Sequence, residues 1–355
     1  MYSELEMESQ VRAAVVEEPG KLAMWDIPAP RPGPYHALVR MEVAAICNST
    51  DTKIKDGHFP GFDTYPTTLG HEGVGTVVEI GAKVRSYKVG DRVLNPCTMQ
   101  TGVEGLASGW GTMAAFALAG DFAAMRADGV CDPHHGFDSA FETQKVIPAD
   151  IPSRQAVLMA TWREVLSSFS DFGFAPGSSL LVIGGGPVGL SFVALAKIAG
   201  MSPVCITSRS QWKLDKAISL GADYALSADA ALVERARQLR PGGFDFVVDA
   251  VGSPAVMNQA LRLIGFNGTV CVYGTVPEKS VTLTKEQAPY NWKLIMHQWP
   301  DYAREAGAHE PICQLIRAGK LSAESFVTHE LAFDEIEEGL DLIRRNEATK
   351  VLLWF

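Results

Sequence analysis

The sequence has no C-x-x-C pair, no long apolar run and no surplus of basic charge, and each absence removes a class of function. Its six cysteines (Cys47, Cys97, Cys131, Cys205, Cys271 and Cys313) are scattered, so neither a disulfide framework nor a four-thiolate zinc knot is indicated. Cys205 and Cys271 fall inside strand-like apolar runs, where a small buried hydrophobe is the expected role. No stretch of about 18 apolar residues occurs, which speaks against a membrane-spanning helix. The N-terminus, Met1-Tyr2-Ser3-Glu4-Leu5-Glu6-Met7-Glu8, is acidic where a secretory leader is basic, so a cytoplasmic protein with no membrane partner is expected. With 31 Lys and Arg against 41 Asp and Glu, the formal net charge of −10 opposes nucleic-acid binding, whose affinity comes from cations displacing counterions.

What remains is an ordinary folded chain. The hydrophobic share of 47% and charged share of 20% are globular values, and 355 residues exceed a single core, so two domains are expected. From about Arg12 to Ile147, Gly, Pro and short alternating runs such as Ala37–Val43 and Gly75–Ile80 read as a β-rich domain. From about Gly177 the texture changes to strand, turn, helix, repeated. Strands are predicted at Ser179–Ile183, Pro203–Thr207, Phe244–Asp249 and Thr269–Tyr273, and helices at Val188–Ala199, Lys213–Leu220 and Met257–Leu263. Such βαβ alternation implies a parallel, doubly wound sheet, hence an α/β protein. A helix at Glu335–Arg345 and a strand at Val351–Phe355 are predicted to close the first domain. The stretch Thr98–Ser139 has no clear period.

Gly184-Gly185-Gly186-Pro187-Val188-Gly189 satisfies G-x-G-x-x-G directly after a strand and before a helix. The glycines permit a tight turn and close backbone approach, and the helix N-terminus offers unpaired N–H groups to a pyrophosphate. Gly184, Gly186, Pro187, Val188 and Gly189 are therefore candidate coenzyme-binding residues. The second strand of an NAD-binding unit ordinarily ends in an acid that bonds the ribose. Here it ends in Ser208-Arg209-Ser210, with Lys213 one turn on. A hydroxyl and two cations suit a 2′-phosphate, so NADP(H) is expected over NAD(H).

Cys47-Asn48-Ser49-Thr50-Asp51 and Gly70-His71-Glu72-Gly73-Val74-Gly75 together offer thiolate, imidazole and carboxylate. Those donors suit Zn²⁺, and three protein ligands are the catalytic rather than the structural pattern. With these motifs, with Val89-Gly90-Asp91-Arg92-Val93 and with Phe246–Gly252, the sequence resembles the medium-chain dehydrogenase/reductase family, in particular its zinc-dependent alcohol and sorbitol-type polyol dehydrogenases. The resemblance implies a GroES-like catalytic domain over 1–152, completed by 300–355, and a Rossmann domain over 153–299, with the active site between them. It also implies that Cys47, His71 and Glu72 bind one catalytic zinc and that Ser49 relays the substrate proton. Val251 is then expected against the coenzyme, and a homodimer or homotetramer is expected.

The chain departs from the family pattern at several points. The four-cysteine structural lobe is absent, and His134 and His135 beyond Cys131 read as a solvated loop. Thr161 falls where many relatives carry a third strong ligand, and Thr50 stands where a supporting acid is common, with Asp51 next to it. His58, Phe59, Trp110 and Trp299 are candidate substrate-pocket residues. The activity expected is hydride transfer between NADP(H) and a secondary alcohol, polyol or sugar-derived ketone. Two alternatives stay open: a metal-free enoyl or quinone reductase of the same superfamily, and a non-enzymatic NADPH-binding protein.

Overall fold

The computed structural model describes residues 10–355, so the acidic N-terminal stretch on which the expected location partly rests lies outside the described residues. The chain divides into two compact units, one running to Ala160 and resuming at Val327–Phe355, the other spanning Thr161–Phe326.

The first unit is built from two sheets. One has the order Lys21–Pro28, Gln10–Glu18, Thr67–Thr68, Ala107–Ser108. The other runs Val327–Ala332, Lys350–Trp354, His36–Ala45, Gly73–Ile80, Arg92–Leu94, Lys145–Val146, with Phe116–Gly120 also paired to His36–Ala45. His36–Ala45 is flanked on both edges and buried almost throughout, so the alternation read in Ala37–Val43 leaves only Arg40 exposed. The C-terminal strand joins it antiparallel, with Leu352 opposite Ala45 and Leu353 opposite Ala44. Ile46, Ile54, Leu69, Met113, Leu340, Val351 and Leu353 form one buried cluster, and each of the first three lies within two residues of a polar site residue or on its helix.

The second unit is a six-stranded, all-parallel sheet. Its order is Tyr224–Ser227, Val204–Ser208, Leu180–Ile183, Phe244–Asp249, Ile264–Val272, Lys293–Met296. Numbered along the chain this is 3-2-1-4-5-6, the Rossmann order. Its topological switch point lies between the strands ending at Ile183 and Asp249, where such sheets bind ligands. Cys205 and Cys271 are both fully buried on central strands.

The segment 300–326 groups with this second unit, whereas the sequence reading assigned it to the first. Two contacts explain the grouping. A buried ion pair joins Arg163 Nη2 to Glu305 Oε1 at 2.7 Å, and Trp162 meets Phe326 edge-on at 5.3 Å. Both tie the segment to the Met159–Phe172 helix. Among the described residues no helix is long and apolar enough to cross a membrane.

Candidate metal centre and coenzyme site

The three candidate ligands are brought together by adjacent backbone. The His36–Ala45 strand runs on through buried Ile46 to Cys47, and the Ala45 N–H donates to the Glu72 carbonyl at 3.0 Å, which fixes the two motif segments side by side. Between fully buried Leu69 and His71 stands Gly70, with φ +96°. A Cβ there would lie 2.5 Å from Met113 Cγ, so only glycine lets the chain turn at this point. Cys47 Sγ, a ring nitrogen of His71 and a carboxylate oxygen of Glu72 all lie within 4.8 Å of one another, and Cys47 and His71 are half-buried while Glu72 is buried.

Asp51 organises two of these groups from behind. Its Oδ2 accepts from the Cys47 N–H at 2.8 Å, and its Oδ1 lies 3.6 Å from His71 Nδ1. That second separation is longer than a formed hydrogen bond. Among the described residues neither atom has a hydrogen-bond partner, and the Asp51 side chain is 1% exposed. Burial works to lower the His71 pKa, but Asp51 and the Cys47 sulfur beside it outweigh it and hold the ring well above the usual imidazole value. The carboxylate packed behind Cys47 and His71 is thus Asp51, with Thr50 buried beside it.

Two neighbours were not read from the sequence. Lys350, on the C-terminal strand, donates to both Glu72 oxygens at 2.8 and 2.5 Å, with the two side chains 3% and 5% exposed. Lys53 donates to Ser49 Oγ at 3.1 Å. The signal for Lys350 was a single cation heading the apolar run Val351-Leu352-Leu353; nothing in the sequence linked it to a glutamate 278 positions earlier.

Among the candidate pocket residues, Trp110 packs on His71 with ring centroids 5.5 Å apart, and Phe59 meets Trp110 edge-on at 6.3 Å. Trp110 has φ +69°, a left-handed backbone that a bulky residue adopts only when its surroundings impose it. His58 is exposed; Trp299 lies in the second unit, where its indole N–H donates to Tyr302 at 3.0 Å. Thr161 is buried in the first turn of the Met159–Phe172 helix. His134 and His135 are exposed, as expected, in a short 3₁₀ turn, Pro133–His135, and His135 is engaged by Asp132.

In the second unit the glycine motif stands at the switch point. Gly189 approaches so closely that a Cβ would fall 1.8 Å from the Gly184 carbonyl oxygen, so the strand-to-helix turn admits nothing larger. Gly186 precedes the Pro187–Ile198 helix, Pro187 is its first residue, Val188 is half-buried in the first turn, and no side chain caps this N-terminus. Its first-turn amides are therefore available to an anion. Val251, 48% exposed, borders Gly184, where a Cβ would lie 3.1 Å from Val251 Cγ2. Ser208 ends the second strand, Arg209 is exposed, and Lys213 is 6% exposed. Burial, and then the neighbouring Arg209 charge, push the Lys213 pKa down. Two cations converging beside a serine at a strand end form an arrangement suited to a phosphate.

Comparison with known proteins agrees with this architecture. Residues 33–131 match the alcohol dehydrogenase GroES-like domain, and residues 187–298 match the zinc-binding dehydrogenase domain. The chain is 31% identical over 352 residues to a "probable zinc-binding alcohol dehydrogenase" of Mycobacterium tuberculosis, covering 93% of this chain and 84% of that one. It is 27% identical over 349 residues to a sorbitol dehydrogenase of Bombyx mori, covering 96% and 97%. An alcohol dehydrogenase from Thermus sp. ATN1 superposes with a TM-score of 0.78 at 25% identity, over 97% of this chain and 99% of that one. The chain is an oxidoreductase that belongs to the zinc-binding alcohol and polyol dehydrogenases of the medium-chain dehydrogenase/reductase family.

Proposed function

We propose that this chain transfers a hydride between NADP(H) and a secondary alcohol, polyol or sugar-derived ketone, with one zinc ion held by Cys47, His71 and Glu72. The observation that carries the reading is the convergence of those three donor atoms within 4.8 Å, backed by Asp51. Tetrahedral zinc with bonds of about 2.0–2.3 Å spaces its ligand atoms about 3.4–3.8 Å apart, so the donor set fits the ion after small side-chain adjustments. A carboxylate behind a ligating histidine is the usual means of fixing its ring. When bound, zinc supplies Lewis acidity at the substrate oxygen and the nicotinamide supplies or accepts the hydride.

The remaining work falls to the chain's own side chains. Asp51 orients His71 and anchors the Cys47 amide. Ser49, two residues from Cys47, offers its hydroxyl to the substrate oxygen. Trp110 and Phe59 give the substrate an apolar wall beside His71. The Gly184–Gly189 turn and the Pro187 helix terminus take the pyrophosphate, while Ser208, Arg209 and Lys213 take the 2′-phosphate. The relative named as a sorbitol dehydrogenase supports the polyol class.

The test is turnover of a panel of secondary alcohols, polyols and their ketones with NADP(H) and NAD(H), before and after treatment with a chelator. NADP(H)-dependent turnover that is lost on chelation and restored by zinc is expected. Turnover indifferent to chelation contradicts the proposal and favours the metal-free reductase reading.

A further inference from the structure

Ser49 precedes the first turn of the Thr50–Lys55 helix, where a serine ordinarily accepts a hydrogen bond from a first-turn amide. Here its side chain makes no such bond. Its backbone is helical, with φ −108° and ψ −63°, and the Thr50 N–H donates to Cys47 Sγ at 3.4 Å instead. The Ser49 Oγ is occupied by Lys53, one helical turn on, whose Nζ donates to it across 3.1 Å. The polarity of this bond is fixed, because an ammonium has donors and no acceptor. Ser49 Oγ accepts, and its own proton is left to donate. Among the described residues that proton has no acceptor.

Ser49, Lys53, Cys47 and His71 are all half-buried, so none is sealed into the core. An exposed bond between residues four apart on a helix ordinarily contributes little. This one matters for where it sits, on the hydroxyl two positions beyond Cys47. Without Lys53, no other described side chain donates to the Ser49 Oγ, so the hydroxyl rotates and its proton has no fixed direction.

We infer that Lys53 is a positioning residue for the reaction: its ammonium fills the acceptor side of the Ser49 hydroxyl and aims the hydroxyl proton at the substrate oxygen. The inference rests on the reading of Ser49 given above. In carbonyl reduction that oxygen gains negative charge, and a donor hydroxyl backed by an ammonium binds it more strongly, because hydrogen bonds in series polarise one another. Lys53 itself touches no reacting atom in this scheme.

The experiment compares wild type with Lys53→Met, Lys53→Arg, Ser49→Ala and the Lys53→Met/Ser49→Ala pair, on the substrate of highest kcat/KM in the panel. Lys53→Met is expected to lower kcat by about tenfold, the range of one charge-assisted hydrogen bond, with KM changed by about twofold or less. Lys53→Arg should recover most of the loss, and the double variant should be no slower than Ser49→Ala. Independently of activity, the Lys53 Nζ resonance of ¹⁵N-lysine-labelled, metal-free protein should move on Ser49→Ala. Wild-type kcat in Lys53→Met with an impaired Ser49→Ala, multiplicative losses in the double variant, or an unmoved Nζ resonance would each overturn the role of Lys53 alone. A fully active Ser49→Ala, or no turnover anywhere in the panel, would overturn the reading beneath it.

Discussion

Replacing Lys350 by Met should deprive a buried carboxylate of the first unit of its lysine partner. Glu72 is 4% exposed and both its oxygens accept from Lys350 Nζ, at 2.8 and 2.5 Å, so the substitution removes its counter-charge without offering water in exchange. Breaking a buried pair from one side typically costs about 3–5 kcal/mol, since the surviving ion keeps its desolvation penalty and loses its partner. Replacing both members by apolar side chains of similar volume is often about neutral, or stabilising by ~1–4 kcal/mol. Urea unfolding of the metal-free protein, followed by tryptophan fluorescence, should therefore show Lys350→Met lowering the midpoint sharply and Lys350→Met/Glu72→Met recovering most of the loss. Added zinc should reduce the deficit of the single variant, because it gives Glu72 a cation in place of the lost ammonium. A loss below about 1 kcal/mol in Lys350→Met, or a double variant as unstable as the sum of the two singles, refutes the reasoning.

Three further outcomes are expected. Arg209→Ala should weaken NADPH binding by about 1–3 kcal/mol, one charged hydrogen bond, and leave NADH binding nearly unchanged; equal losses for both coenzymes in calorimetric titration contradict the 2′-phosphate assignment. The pKa of Lys213 is held below the ordinary lysine value of 10.5, first by burial and then by Arg209, and a bound phosphate would raise it. The ratio of NADPH to NADH affinity should thus fall as pH rises through the lowered pKa of the free protein, and a ratio constant across the alkaline range excludes Lys213 as a phosphate contact. Trp110→Gly should relieve the left-handed backbone at φ +69° while removing the indole from His71, so KM for the best alcohol should rise several-fold, in line with an aromatic contact of about 0.5–1.5 kcal/mol, and stability should change little. An unaltered KM places the substrate elsewhere.

The parts of the fold legible in the sequence were those where local chemistry forces the outcome. The glycine motif admits one strand-to-helix turn, and the observed elements Leu180–Ile183 and Pro187–Ile198 lie within a residue of those read from it. Phe244–Asp249 is a buried run between turn residues and was delimited correctly. The exposed strand Tyr224–Ser227, the edge strand Lys293–Met296 and the helices Leu232–Leu239, Tyr302–Gly307 and His309–Arg317 were not read. The two strands carry only partly buried side chains, so they lack a hydrophobic period. Thr98–Ser139 resolves into a two-residue strand, the five-residue strand Phe116–Gly120, the seven-residue helix Phe122–Asp128 and a 3₁₀ turn, all shorter than the window a period needs. The proximity of Cys47, His71 and Glu72 was legible because these donor types sit in compact motifs. Lys350 was not, because its contact with Glu72 depends on the C-terminal strand returning beside His36–Ala45. The choice between Thr50 and Asp51 turned on which side chain the Cys47 loop folds back upon, and only coordinates decide that.

Elemental analysis of the purified protein decides whether a single zinc ion sits on Cys47, His71 and Glu72. One zinc per chain is expected in wild type, falling to near zero in Cys47→Ala and His71→Ala while the circular dichroism of both variants stays native. Wild-type protein that turns over its substrate fully with no zinc, or variants that retain as much zinc as wild type, would contradict it.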